Sequence, residues 1–156
     1  MTAVEGVWSR EELETFLGEA LVPLRLGCHH ADGGLWLVSL WYRYRDGRFQ
    51  CATGRGSDLV AFLRENDAVA FEVSTNTPPY MGVRGNGSVS VAPDEDKEYL
   101  RSLLARYLGG TDNDLASFLL DGDREELRLT IEPERLYTWD FTDRMRDTAA
   151  DSPAAR

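Results

Sequence analysis

The spacing of apolar and polar residues changes period several times along the chain, and each change marks an element. Ser9-Arg-Glu-Glu12 has the form of a capping box, and Leu13, Phe16, Leu17 and Ala20 follow at helical spacing. Residues 1–8 read as a loose arm ahead of this first amphipathic helix. From Leu21 the period shortens, so Val22 to His30 reads as a strand, turned at Asp32-Gly-Gly34. In Leu35 to Arg45 the stretch up to Trp41 is apolar on both faces apart from Ser39, which predicts a central strand covered on both sides. Asp46-Gly47 is the strongest hairpin signal in the chain, and it leads into a strand with Phe49, Cys51 and Thr53 on one side. These strands are expected to form a meander.

Arg48 to Asn66 runs from that strand through a glycine-hinged turn into a helix. Gly54 and Gly56 let the backbone turn and approach another group closely. Ser57 is a good N-cap, and Leu59, Phe62 and Leu63 give the helix an apolar face. A turn that brings a Thr, an Arg and a Ser to a helix N-terminus has the makings of an anion site, because amides and dipole point there. The plainer readings stay open: Ser57 as a cap alone, and Arg55 as a solvated turn residue.

Ala68 to Val73 reads as a strand and Ser74 to Pro79 as a loop. Tyr80 to Val91 then alternates, with Met81, Val83, Val89 and Val91 on one face and Tyr80, Arg84, Asn86, Ser88 and Ser90 on the other. Gly82, Gly85 and Gly87 suggest bends or bulges in it, and Gly82 and Gly85 leave room for a ligand beside Arg84. Asp94 to Leu108 is an amphipathic helix stopped by Gly109-Gly110, and a short helix follows around Leu115, Phe118 and Leu119. Leu127, Leu129 and Ile131 alternate, as do Tyr137, Trp139 and Phe141 after Pro133. About six strands, mostly in hairpins with helices between them, predict a mainly β protein: a small antiparallel barrel plus helices. One domain covers 1–146, and 147–156 reads as a disordered tail.

Composition narrows the function. A net charge of −10 argues against nucleic acid as partner and against anionic membrane surfaces. No apolar run approaches a membrane span and the N-terminus lacks a signal-peptide core, so the expected address is the cytoplasm. Cys28 and Cys51 fall in strands without metal-ligand spacing and read as buried free thiols. His29 and His30 are adjacent on a strand and face opposite sides, so they do not share one metal. The carboxylates Asp94, Glu95, Asp96 and Glu98 read as a helix start, and no Ser-His-Asp or Cys-His spacing stands out.

Trp36-Leu-Val-Ser-Leu-Trp-Tyr42, Asp46-Gly47, Ala52-Thr-Gly-Arg-Gly-Ser57, Tyr80-Met-Gly-Val-Arg-Gly85 and Trp139-Asp-Phe141 occur in an order that resembles one family. It is the pyridoxamine 5'-phosphate oxidase-like, FMN-binding split β-barrels, which include flavin and deazaflavin oxidoreductases. The resemblance implies a homodimer with flavin sites at the subunit interface. It places the flavin phosphate at Thr53, Gly54, Arg55, Gly56 and Ser57, and the ring along Leu40, Trp41, Tyr42 and Ala52. Arg84, and Trp139 from the other subunit, are the candidates to close the pocket; either Trp41 or Trp139 also reads as a plain core or interface aromatic. One departure stands out. Members commonly continue Ser-Arg-Lys after the turn, and here Asp58 and Leu59 occupy the cations' positions. A carboxylate there suits the helix dipole and repels a phosphate, and Arg55 is the candidate to supply a bidentate contact instead. The implied function is an FMN-dependent oxidoreductase that transfers hydride to or from a small molecule. The alternatives are a deazaflavin-dependent reductase and a non-catalytic flavin- or haem-binding barrel.

Overall fold

Helix α1 (Arg10–Glu19) begins at a complete capping box, the Ser9 side chain accepting from the Glu12 amide while the Glu12 carboxylate accepts from the Ser9 amide. Its buried residues are Leu13 and Leu17, so the apolar stripe read from the sequence is the packed face. The computed structural model describes residues 1–150; the tail expected from residue 147 starts inside the last helix, α5 (Thr142–Ala150), and 151–156 lie outside the described residues.

The remaining elements build an open, mainly antiparallel sheet of eight strands. They are β1 (Val4–Gly6), β2 (Leu24–His29), β3 (Leu35–Leu40), β4 (Arg43–Arg45), β5 (Arg48–Gly54), β6 (Ala68–Ser74), β7 (Met81–Pro93) and β8 (Glu126–Asp140). The order is β3-β2-β6-β7-β8-β5-β4, with β1 added in parallel to β8. Between strands lie α2 (Asp58–Glu65), α3 (Glu98–Leu108) and α4 (Asp114–Leu119). The excess over the expected strand count is the pair of three-residue strands, β1 and β4.

The structure corrects several expectations. The arm at 1–8 contains β1, held in register with β8 from Val4↔Leu136 to Gly6↔Thr138. Leu35 to Arg45 is not one strand: it breaks at Trp41-Tyr42, and β3 and β4 lie at opposite edges of the sheet. The cause is Tyr42, fully buried, whose hydroxyl donates toward the carbonyls of Leu17 (2.9 Å) and Ala20 (3.0 Å) at the end of α1. The meander is therefore absent; β5 pairs with β4 and β8. Nor is β3 covered on both sides, since Leu35 is 84% and Leu37 71% exposed in the protomer. In β7 a bulge does lie at Asn86/Gly87. Gly82 and Gly85 are close backbone approaches: a Cβ would collide with the Val73 carbonyl at Gly82 and with the Arg135 carbonyl at Gly85. They admit neighbouring backbone.

Other local signals hold. Asp46 and Gly47 both take positive φ, 52° and 77°, as a type I′ hairpin turn requires. Helix α3 starts later than the sequence pattern implies, because the buried Asp94 carboxylate reaches forward to accept from the amides of Tyr99 (3.3 Å) and Leu100 (3.2 Å). Gly109 closes that helix at φ 75°. Leu24, Leu26, Phe49, Cys51, Phe71, Val83 and Ile131 form the main core under α1 and α2. A separate small cluster of Leu100, Leu104 and Ala116 joins α3 to α4, with Trp41, Ala52, Leu119 and Leu120 packed against it. No helix among the described residues is long and apolar enough to cross a membrane.

Candidate functional site

Strand β5 ends at Gly54, and a tight turn through Arg55 and Gly56 delivers Ser57 to the N-terminus of α2. Ser57 stands at the N-cap position with extended backbone, yet its hydroxyl does not cap the helix. It accepts instead from the Thr53 hydroxyl at 3.2 Å. The first turn of α2 therefore has no side-chain acceptor, the Val60 amide donating to the Ser57 carbonyl at 3.2 Å, and its remaining amides have the local chemistry of an anion site. The Asp58 carboxylate follows directly, as the sequence departure required.

A cleft of about 240 Å³ runs along this turn. Among its walls are Leu40, Trp41, Ala52, Thr53 and Gly54, all of them sequence candidates. Trp41 is fixed by stacking on Tyr107, with ring centroids 5.2 Å apart and planes 7° from parallel. Tyr42 is elsewhere: it lies in the core with no exposed surface, and burial pushes its phenol far up. Arg55 points away from the cleft. It is 65% exposed and ion-paired with Glu125, whose hydrogen bond raises the guanidinium further still. A Cβ at Gly56 would meet nothing within 4 Å, and the residue is exposed at the surface of the turn.

Arg84 and Trp139 are together, but neither lines the cleft at the turn. The Arg84 guanidinium lies 5.2 Å from the Trp139 ring centroid and 5.7 Å from that of Tyr137. It borders a shallow depression of about 660 Å³ whose walls include Arg25, Glu72, Arg135 and Tyr137. The indole Nε1 of Trp139 is sealed from solvent without a hydrogen-bond partner. The sequence candidates thus divide between two regions of one protomer.

The structure adds residues that sequence reasoning missed. Arg124 and Glu126, from the α4–β8 connection and the start of β8, line the cleft opposite Thr53 and Gly54. Their side chains pair at 3.3 Å, with Arg124 35% and Glu126 3% exposed. A charged run at the start of a strand reads as solvated, and nothing local in it signals a buried carboxylate. Leu119 of α4 closes the same cleft. No group of three or more His, Cys, Asp or Glu able to hold a metal occurs among the described residues. His30 instead packs its ring 4.5 Å from that of Phe62 and pairs with Asp32 at 3.0 Å.

No protein-family model matches the sequence, and no curated protein does. Solved structures do. A conserved hypothetical protein of Mycobacterium tuberculosis superposes with a TM-score of 0.73 at 20% identity, over 90% of this chain and 89% of that one. An F420 reductase gives a TM-score of 0.66 at 18% identity, over 83% of this chain and 98% of that one. A FAD-binding protein of Mesorhizobium loti gives 0.57 at 21%, over 83% and 92%. The fold is the split β-barrel. In a split barrel the sheet stays open, as it does here between the β3 and β4 edges.

Proposed function

We propose that the protein is a homodimeric, FMN-binding flavoprotein, acting as an oxidoreductase on a small molecule. The observation that carries this reading is the N-terminus of α2, without a side-chain cap, just beyond a cleft that Thr53 and Gly54 line, with the Ser57 hydroxyl turned aside to Thr53. A phosphate suits the amides, and the flat walls of Leu40, Trp41 and Ala52 suit an aromatic ring. When bound, a flavin supplies a hydride acceptor or donor. The chain's own part is to hold the phosphate at Thr53–Ser57, to fix the ring's orientation and to keep water from it.

The division of the candidates supports the dimer. At about 240 Å³ the cleft is smaller than the roughly 300–1,000 Å³ of small-molecule sites. A second copy offering its Arg84 and Trp139 face would complete it. The outer face of β3-β2-β6 is suited to such a copy: Gly27, Leu35, Leu37, Ala68 and Ala70 line an apolar hollow of about 500 Å³. On the adjoining depression, Arg25, Arg84 and Arg135 alternate with Glu5 and Glu72, a pattern that can pair with itself about a two-fold axis.

The test is direct. Purified protein should absorb in the flavin region, release FMN on denaturation and run at twice the 17.5 kDa chain mass. A colourless protein that takes up no FMN on titration sinks the reading. One observation favours a second reading, a deazaflavin coenzyme with its longer anionic tail. Beside the turn, Arg55, Arg64, Lys97 and Arg124 border a further cleft of about 470 Å³, together with several carboxylates. Tighter binding of the deazaflavin coenzyme than of FMN would move the assignment there.

A further inference from the structure

We propose that Arg124 is the cation that grips the cofactor's phosphate, delivered across the cleft from the α4–β8 connection rather than from helix α2. The inference rests on the flavin reading above and assigns a binding residue to it. Position comes first. The Arg124 Nη2 lies 3.5 Å from where a Cβ on Gly54 would stand, so the guanidinium rests against the phosphate turn itself. It borders both the ring cleft and the adjoining cleft, and so sits where the two meet.

The side chain is also held ready. Its guanidinium lies over the Phe118 ring at 4.9 Å from the centroid, and Nη2 donates to the buried Glu126 carboxylate at 3.3 Å. That pairing engages one of five donors. Nε is buried without an acceptor, and the donors left for a ligand are those of the guanidinium's outer nitrogens. Arg55 differs in exposure: it is 65% exposed, and its pairing with the equally exposed Glu125 is a contact of little energetic weight. The carboxylate at Asp58 leaves the turn short of positive charge on the helix side. Arg124 brings a guanidinium to the turn from the neighbouring β8 side, with the Glu126 carboxylate on one of its donors.

The test compares FMN with riboflavin, which lacks the phosphate, by flavin-fluorescence titration of the full-length protein. In Arg124→Gln, FMN affinity should fall at least tenfold while riboflavin affinity changes less than about twofold. Arg55→Gln should change FMN affinity less than about threefold. Should Arg124→Gln fail to fold because Glu126 is left buried and unpaired, Arg124→Met with Glu126→Gln removes both charges together, and the same loss of phosphate preference is expected. Equal weakening of FMN and riboflavin overturns the proposal, as does unchanged FMN affinity in either variant, and the flavin reading survives both results. Wild-type protein that binds neither compound removes the flavin reading and the Arg124 assignment together.

Discussion

The two edges of the sheet come from one uninterrupted stretch of sequence and are built on opposite principles. Strand β4 is short and polar, and the protein covers it. The Arg43 side chain donates to Ser102 at 2.6 Å and reaches Glu98 at 3.4 Å, and its guanidinium lies 5.1 Å from the Tyr99 ring centroid. Strand β3 is twice as long and presents leucines outward with nothing over them. A short, charged, covered edge is how a sheet avoids unwanted pairing, whereas a long apolar one invites a partner. The difference teaches that the β4 side is taken up by this chain's own helices while the β3 side is left open, as the proposed dimer requires.

That contrast can be broken experimentally. Leu37→Asp puts a charge in the centre of the outward apolar face, and should weaken self-association at least a hundredfold, about 2.7 kcal/mol, by analytical ultracentrifugation. Flavin uptake should fall with it. A wild-type chain that sediments as a monomer would show that the β3 edge has no second copy to receive. On the covered side, burial pushes the Cys51 thiol from 9.0 up to about 12. A raised folded value means that this contribution is complete below pH 9.0 and is lost as pH climbs towards about 12. The unfolding free energy from urea titrations should therefore drop steadily across that window, on the order of a few kcal/mol, with the thiol unreactive in folded protein. Tyr44 and Tyr107, raised by burial as well, add to the drop in the same direction. Tyr42→Phe removes the hydroxyl that ties the break between the edges to α1, and should cost about 1–2 kcal/mol in denaturation without altering oligomeric state. The smallest change is expected at Arg45, 62% exposed and 3.7 Å from Asp46. Arg45→Leu should shift stability by less than about 0.5 kcal/mol, and dimer strength not at all. A large effect there would mean that β4 also lies in an interface.

What was legible in the sequence was what is decided locally. The Ser9 capping box, the Asp46-Gly47 turn and the apolar stripe of α2 depend on residues a few positions apart, and each stands as read. The strand of leucines at 35–40 was misread because periodicity reports that a face is apolar, not which surface covers it. Val4-Glu-Gly6 gave no strand signal, since its order comes from residues around Tyr137, far along the chain. The turn at Thr53–Ser57 was visible as a local anion site, yet its facing wall was not. Arg124 and Glu126 reach it only because β8 pairs with β5, with Gly54 opposite Glu126. Even Ser57, correctly placed at the cap, spends its hydroxyl on Thr53, a choice that spacing does not reveal.

Strand β8 carries a consequence for the order in which the molecule is made. It lies between β7 and β5 in the sheet and is the only described strand that pairs with β1. Until Glu126–Asp140 has been synthesised, β7, β5 and β1 each wait with an open edge, and the chain exists as two unjoined sheet fragments. Joining them closes contacts such as Val4 with Leu136, the kind of distant pairing that slows folding. A nascent chain on the ribosome is thus sticky until β8 has emerged, and one that terminates before Glu126 should be recovered in the insoluble fraction.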